Sequence, residues 1–264
     1  MLTVNLLQKL EKAVLRRLEL RKQTEPVRWI DDNGDGFPGL VVDGYGDLGM
    51  LHARSLKREI ESSLVEIAKY FVDQKIFRSV YLRRRREGAE CTAKEPAELV
   101  FGDPVREIWV REGALEFLIR PEDQVNSGLF IDMRDLRGWL LRESLGFKVL
   151  NLFCFTGTLG VAALNGGAQE VVQVDISKRA LRWAQENFER NRREGAQMRV
   201  IAEDCRAFVA RELRRVKKGL RPYDLVILDP PVFGRSAGKP FRLGEEVAGL
   251  VGASLELLTR TGTL

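Results

Sequence analysis

The second half of the chain constrains the fold most. From Lys148 onward, short apolar runs recur with helix-length segments between them: "KVLNLF", "EVVQVDI", "MRVIAED" and "YDLVILD". Runs this rich in Val, Ile and Leu are what strands buried on both faces require. The spacing predicts helices over residues 156–165 and 177–192, the second with Leu181, Ala184 and Phe188 on one face. Strands alternating with helices build parallel βαβ units, so the expected architecture is α/β, a Rossmann-like doubly wound sheet. Ligands of such sheets bind at the carboxyl ends of the strands.

Those ends carry polar or glycine-containing elements in every case. The first strand runs into "NLFCFTGTLG", the second ends on Asp175, the third on Asp204 and the fourth on Asp229. Thr156, Gly157, Thr158 and Gly160 read as a turn into a helix, where backbone N–H groups point outward and a ligand can approach closely. A dinucleotide fingerprint would read GxGxxG; the spacing "GTLG" departs from it and weakens a nicotinamide reading. Asp175 is suited to accept both hydroxyls of a ribose, and Asp204 with Cys205 to face an adenine edge. In "LDPPVFG", Asp229 is delivered at a strand tip and followed by Pro230 and Pro231, which lack N–H donors and fix φ near −65°. An acid held on a stiff turn is hard to justify by packing.

The first half reads differently. Leu6, Leu7, Leu10, Val14, Leu15 and Leu18 predict an amphipathic helix over residues 4–22. Glycines punctuate "DDNGDGFPGLVVDGYGD" into short strands and turns. Residues 57–72 read as a helix, "SVYLRRRRE" as a strand and "REIWVREGALEFLIRP" as a hairpin through "EGA". The expected organisation is an N-terminal helix (1–25), a small α+β domain (26–122) and a larger α/β domain (123–264).

Charge adds a hint about partners. Lys and Arg balance Asp and Glu over residues 1–145, 24 to 25, but exceed them 19 to 13 over residues 146–264. The clusters are "RNRRE" at 190–194 and "RRVKKGLR" at 214–221, with "RRRR" at 83–86 in the balanced half. Such runs suit a phosphate-binding face, although solvated surface is their commoner role. No apolar run is long enough to cross a membrane and no signal peptide is legible, so the expected compartment is cytoplasmic. Cys91, Cys154 and Cys205 show no CxxC pairing and His52 is the single histidine, so a metal-free chemistry is expected. Trp29, Trp109, Trp139 and Trp183 read as packing residues, and His52 as a structural one.

With these motifs in hand, "VLNLFCFTGTLGVAALNGGAQEVVQVDISKRALRWAQENFERN", "EDCRAFV" and "DLVILDPPVFGRS" resemble the class I S-adenosylmethionine (SAM)-dependent RNA methyltransferases. More narrowly, with "NSGLFIDMRDLR" and "GDGFPGLVVDGYGD", the chain resembles the bacterial enzymes that modify large-subunit (23S) ribosomal RNA at cytosine C5 or, in a sister group, guanine N7. A PUA-type RNA-binding domain, found in many of the cytosine enzymes, is absent from the sequence. The resemblance implies SAM as cofactor and RNA as partner. It implies that Phe153, Phe155, Thr156 and Gly157 line the methionine side of SAM, Asp175 the ribose, and Asp204 with Cys205 the adenine. It places Asp132 and Arg134 over the amino-acid end. It brings Asp229, Pro230 and Pro231 to the sulfonium methyl and the target base, with Phe233 stacking on that base.

The two bases make different demands. Carbon 5 of cytosine is a poor nucleophile, and its methylation ordinarily proceeds through a cysteine thiolate added at C6; guanine N7 offers a lone pair. Cys154 and Cys205 lie within the motifs, where a small buried thiol is the commoner role. In the cytosine enzymes the nucleophile resides on a loop after the next strand. The sequence stops at "LLTRTGTL", where that strand would begin, which predicts a truncated sheet with an uncovered neighbour beside the fourth strand. Cytosine C5 is the leading expectation. Guanine N7, an RNA-binding protein without catalysis, and a nicotinamide oxidoreductase stand as alternatives, with monomer or homodimer open.

Overall fold

A computed structural model describes residues 2–84, 96–219, 222–234 and 241–264. The chain divides into two compact units, Met1–Ile131 and Asp132–Leu264, so residues 123–131 stay with the first.

In the first unit, helix α1 (Val4–Leu15) buries Leu6, Leu10, Ala13 and Val14. Thr3 caps it, its Oγ1 accepting from the Leu6 N–H at 3.3 Å. The predicted single helix over 4–22 ends early. Arg17 donates to the Ala13 carbonyl at 3.0 Å, to the Arg28 carbonyl at 2.9 Å and to Asp35 at 2.6 Å, taking an acceptor at the helix end. A separate turn of helix, α2 (Leu18–Arg21), follows.

Strand β1 (Pro26–Asp31), helix α3 (Asp32–Asp35), strands β2 (Leu40–Tyr45) and β3 (Leu48–Ala53) come next. The expected helix over 57–72 is two, α4 (Arg58–Glu61) and α5 (Leu64–Asp73). The Ser62 and Ser63 hydroxyls both donate to the Glu59 carbonyl, at 3.0 and 2.8 Å, and so compete with the helix at the break. Strands β4 (Ser79–Arg84) and β5 (Glu98–Phe101) complete a sheet in the order β1-β2-β3-β4-β5, in which only the β3–β4 pairing is parallel. Strands β6 (Ile108–Glu112) and β7 (Leu115–Ile119) form a hairpin of their own, turning at Gly113. Trp29, Phe71 and Phe77 centre the core.

The "RRRR" run does not form a basic patch over its described part. Arg83 is buried and donates to the Pro121 and Asp123 carbonyls at 2.8 and 2.7 Å, while Arg84 pairs with Glu61 at 2.8 Å. Arg85, Arg86 and Cys91 lie outside the described residues. His52 sits on β3 with Nε2 3.7 Å from the buried Asp43 carboxylate.

The second unit begins inside a 3-10 turn (Ile131–Met133), which leads into helix α6 (Arg134–Glu143). Then come β8 (Lys148–Leu152), α7 (Thr158–Asn165), β9 (Glu170–Asp175), α8 (Lys178–Arg190), β10 (Gln197–Ala202), α9 (Cys205–Val216) and β11 (Tyr223–Leu228). Two short strands, β12 (Phe233–Gly234) and β13 (Phe241–Arg242), precede α10 (Leu243–Leu255) and β14 (Leu258–Thr263). Five strands form one parallel sheet in the order β10-β9-β8-β11-β14. Helix α7 packs on α6 and α8, while Phe208 and Val209 of α9 and Leu250 of α10 join Leu150, Val172 and Val226 in a core of their own.

The uncovered neighbour predicted beside the fourth strand is therefore a misreading. "LTRTGT" is a full strand paired in parallel with β11, and the Thr259 hydroxyl reaches Asp224 at 3.2 Å. Its Thr-rich alternation lacks the continuous apolar run used to recognise the others.

Candidate functional site

Register brings the predicted residues level with one another. Leu152 at the end of β8 pairs with Val174 of β9 on one side and Leu228 of β11 on the other. Phe153, Asp175 and Asp229 therefore leave the sheet at the same height. Adjacent strands lie about 4.8 Å apart, so the two carboxylates flank the β8 loop one strand spacing to each side. Ala202 of β10 pairs with Asp175, which puts Asp204 two residues past the same edge.

The β8 loop is strained. Phe153 and Phe155 have φ of 56° and 49°, a region that bulky residues avoid at a cost of about 1–3 kcal/mol each. Hydrogen bonds hold them there. The Phe153 N–H donates to Cys205 Sγ at 3.1 Å, Cys154 N–H to the Val174 carbonyl at 3.1 Å and Phe155 N–H to Asp175 Oδ2 at 3.0 Å. Ring packing adds to this: Phe153 lies 5.3 Å from Phe241 and Phe155 6.2 Å from Trp183.

Behind the loop is a buried amide network that sequence reasoning missed. Gln173, at the middle of β9, donates to the Gly157 carbonyl at 3.0 Å and accepts from Asn151 Nδ2 at 2.7 Å. Asn187 of α8 donates to the Thr156 carbonyl at 2.9 Å. A Cβ at Gly160 would stand 2.3 Å from Gln173 Nε2, and one at Gly157 would stand 2.7 Å from the Ala184 Cβ. The glycines of "GTLG" thus make room for the protein's own side chains, a requirement the sequence alone did not reveal. The signal was present: Asn151 and Gln173 are amides interrupting two apolar strands, and they are register partners.

Asp175 accepts from the Phe155 N–H through one oxygen and from the Ser177 N–H, at 2.8 Å, through the other. Burial raises its pKa, opposed by those N–H donors. Each oxygen retains a lone pair for a further donor. Asp204 is the N-cap of α9, accepting from the Arg206 N–H at 2.9 Å, and it is clasped by the Arg206 guanidinium at 2.7 Å. That guanidinium also reaches Glu246 of α10 at 2.9 Å and, with the cap, holds the Asp204 carboxyl below the usual range. Cys205 is buried, and desolvation pushes its thiol up to about 12; burial likewise pushes Cys154 well up.

Asp229 keeps a solvent-exposed surface, yet partial desolvation and then the Asp132 carboxylate raise its pKa. The fourth strand's acid and the acid of the turn before α6 therefore act on one another. Arg134 starts α6 two residues on. Pro230 is half-buried and Pro231 exposed. The chain then enters an antiparallel ribbon in which Phe233 pairs with Arg242 and Gly234 with Phe241; the Phe233 side chain lies outside the described residues. The Leu243 N–H closes the ribbon on the Val232 carbonyl at 3.1 Å.

The donor set fits SAM. Two adjacent carboxylates complement a sulfonium and an ammonium, Arg134 complements a carboxylate, and Asp175 has acceptors left for a diol.

Comparison with known proteins agrees with this geometry. The S-adenosylmethionine-dependent methyltransferase family model matches residues 53–264. Ribosomal RNA large subunit methyltransferase I of Aeromonas hydrophila is 33% identical over 207 residues, which is 76% of this chain and 50% of that protein. Ribosomal RNA large subunit methyltransferase K/L of Saccharophagus degradans is 34% identical over 237 residues, 85% of this chain and 30% of that protein. The chain thus spans half or less of the length of these two relatives. The crystal structure of SMU.776 complexed with SAH has a TM-score of 0.82 at 25% identity, covering 97% of this chain and 64% of that one. With a family model matched over most of its length and the strand-end acids level around one loop, this chain belongs to the S-adenosylmethionine-dependent methyltransferase family.

Proposed function

We propose that the chain transfers a methyl group from SAM to a base of large-subunit ribosomal RNA. The observation that carries this reading is the level placement of Asp175, Phe153 and Asp229 on three adjacent strands, in a chain whose relatives are named for ribosomal RNA methylation. In this reading Asp175 takes the ribose hydroxyls, and Asp204 with Cys205 borders the adenine. Phe153, Phe155, Thr156 and Gly157 flank the methionine part, and Asp132 with Arg134 its amino and carboxylate groups. Asp229 and Pro230 face the methyl group and the acceptor base, with Phe233 beside that base.

SAM, when bound, supplies an already activated methyl group. What remains for the protein is alignment of acceptor, methyl carbon and sulfur. The loop, held by its hydrogen bonds, and the Pro-Pro turn, whose rings fix φ, suit that task. A base paired in a duplex must be extruded or presented single-stranded to reach the Asp229 end.

Cytosine C5 remains the reading that the glycine-rich "GDGFPGLVVD" stretch favours, but it needs a thiolate. Cys154 and Cys205 are both buried with raised pKa, and Cys205 Sγ already accepts the Phe153 N–H. Neither Cys154 nor Cys205 is placed to act as that thiolate, and guanine N7, which "GLFIDMR" and "DPPVF" fit at least as well, is the second reading. The test is transfer of radiolabelled methyl from SAM to large-subunit ribosomal RNA, followed by nuclease digestion and nucleoside identification. Labelled 5-methylcytidine or 7-methylguanosine supports one branch or the other. SAM binding without label in any nucleoside of the RNA would overturn the reading.

A further inference from the structure

The observations reach furthest at the opposite edge of the parallel sheet. Glu170, Lys148 and Gln197 start β9, β8 and β10 in register, so the amino-terminal edge is level, as the carboxyl edge is. Strands of five or six residues at about 3.3 Å per residue separate the two edges by about 20 Å. Helices α8 and α9 both run back toward this edge and both end in cations.

Helix α9 buries Cys205, Phe208, Val209 and Glu212 and turns a basic face outward. On that face some cations are engaged: Arg211 with Glu203 at 3.1 Å and Arg215 with Glu212 at 2.8 Å. Arg214, Lys217 and Lys218 are exposed and have no ion pair among the described residues. Arg214 is in the last turn of α9 and Lys217 and Lys218 follow directly, their N–H groups still bonded to the Leu213 and Arg215 carbonyls at 3.1 and 2.9 Å, so the three cluster at the helix end. Arg193, just past α8, is exposed in the same way. The carbonyl end of a helix attracts cations, and that alone would account for Arg214 and Arg215. It does not explain why Lys217 and Lys218 at the helix end are left without an acidic partner among the described residues, nor does it account for Arg193, three residues past α8; Arg199 on β10 is engaged by Glu170 at 3.1 Å. Arg199 on β10 and Arg215 on α9 both act electrostatically on the hydroxyl of Tyr223 at the start of β11, as do Glu170 and Glu212, which ties these elements to one locality.

We propose that the amino-terminal edge of the sheet, centred on Arg214, Lys217 and Lys218, is a second RNA contact that grips the phosphate backbone about 20 Å from the methyl-transfer crevice. The proposal rests on the reading of RNA as substrate. Unpaired cations clustered at a helix end suit a polyanion whose charges recur at short intervals. Being remote from the strand-end acids, the surface adds affinity and register but takes no part in cofactor binding.

The test uses the whole chain carrying Arg214→Gln, Lys217→Gln and Lys218→Gln together, with Lys12→Gln, Lys57→Gln and Arg58→Gln as a charge-matched control. SAM affinity is measured by calorimetry, and affinity for transcribed large-subunit ribosomal RNA is measured from low to high salt. The expected result is unchanged SAM binding, RNA binding about tenfold or more weaker, and a slope of log K against log salt shallower by about 2, as two to three lost phosphate contacts require. Unchanged RNA affinity and slope, or an equal loss in the control, would overturn the proposal. Failure of the unmutated chain to bind SAM would instead remove the methyltransferase reading, whatever the RNA result.

Discussion

The side-chain amide of Gln173 donates to the carbonyl of Gly157 at 3.0 Å, and the space it needs is the space a side chain at residue 160 would fill. Replacing a helical glycine with alanine ordinarily stabilises by about 1 kcal/mol. Gly160→Ala is expected to do the reverse and cost about 1–3 kcal/mol, because Gln173 is held by Asn151 and cannot retreat. The double variant Gly160→Ala/Gln173→Ala removes the clash, so it should be more stable than the sum of the single changes allows. Urea unfolding of the four proteins measures this, and additive costs would refute the coupling.

The raised Asp229 carboxyl predicts a pH dependence of cofactor binding. Asp229 is raised in the folded protein, by desolvation first and Asp132 second, so its neutral form is favoured there. The sign for stability follows: this contribution is present below the ordinary carboxylate pKa and is lost as pH rises through the raised one. A bound sulfonium or ammonium favours the ionised form. SAM affinity should therefore rise with pH through a midpoint above the ordinary value, and Asp132→Asn should move that midpoint down. A calorimetric pH series that leaves the midpoint unmoved by Asp132→Asn would show that the two acids do not interact.

The thiols make a chemical prediction. Cys154 and Cys205 are buried and pushed up, so neither carries appreciable thiolate near neutral pH. Iodoacetamide at pH 8 should leave both unmodified in the folded protein and label both in urea, as read by peptide mass spectrometry. Cys205→Ala should cost about 1–3 kcal/mol, since it removes the acceptor of the Phe153 N–H at a backbone position that is already strained. Rapid native labelling of Cys205 would show that the thiol is accessible and would restore it as a candidate nucleophile.

The parallel sheet was legible because four of its strands carry apolar runs, three of them (β8, β9 and β11) largely buried, and Asp175, Asp204 and Asp229 were legible because each ends or follows such a run. What could not be read depended on partners distant in sequence. That Gly157 and Gly160 must also leave room for Gln173 shows only once the next strand is placed behind them. Asp204 reads as a lone strand-end acid until Arg206 is placed against it. Phe241 carries no local signal for packing on Phe153, since more than 80 residues separate them. In the first unit, the helix over 4–22 follows the apolar period faithfully. Its break at Arg17 depends on Arg28 and Asp35, which helical periodicity does not register.

Arg206 joins two helices through Asp204 and Glu246, and the pair with Asp204 carries its own pH signature. The Arg206 guanidinium is the first cause that lowers Asp204, followed by backbone donors at the cap. A carboxyl lowered in the folded state contributes stability that is present above its ordinary pKa and is lost as pH falls through the lowered one. Both partners keep about a quarter of their side-chain surface exposed, so Arg206→Met should cost no more than about 1 kcal/mol, and less in high salt. Asp204→Ala removes the N-cap as well and should cost about 1 kcal/mol beyond that. Asp204→Asn keeps a capping oxygen but loses the charge, so it should match Arg206→Met near neutral pH and flatten the acid limb of the stability profile. Thermal melts from pH 3 to 7 would measure all three, and an unchanged acid limb in Asp204→Asn would place the titrating group elsewhere.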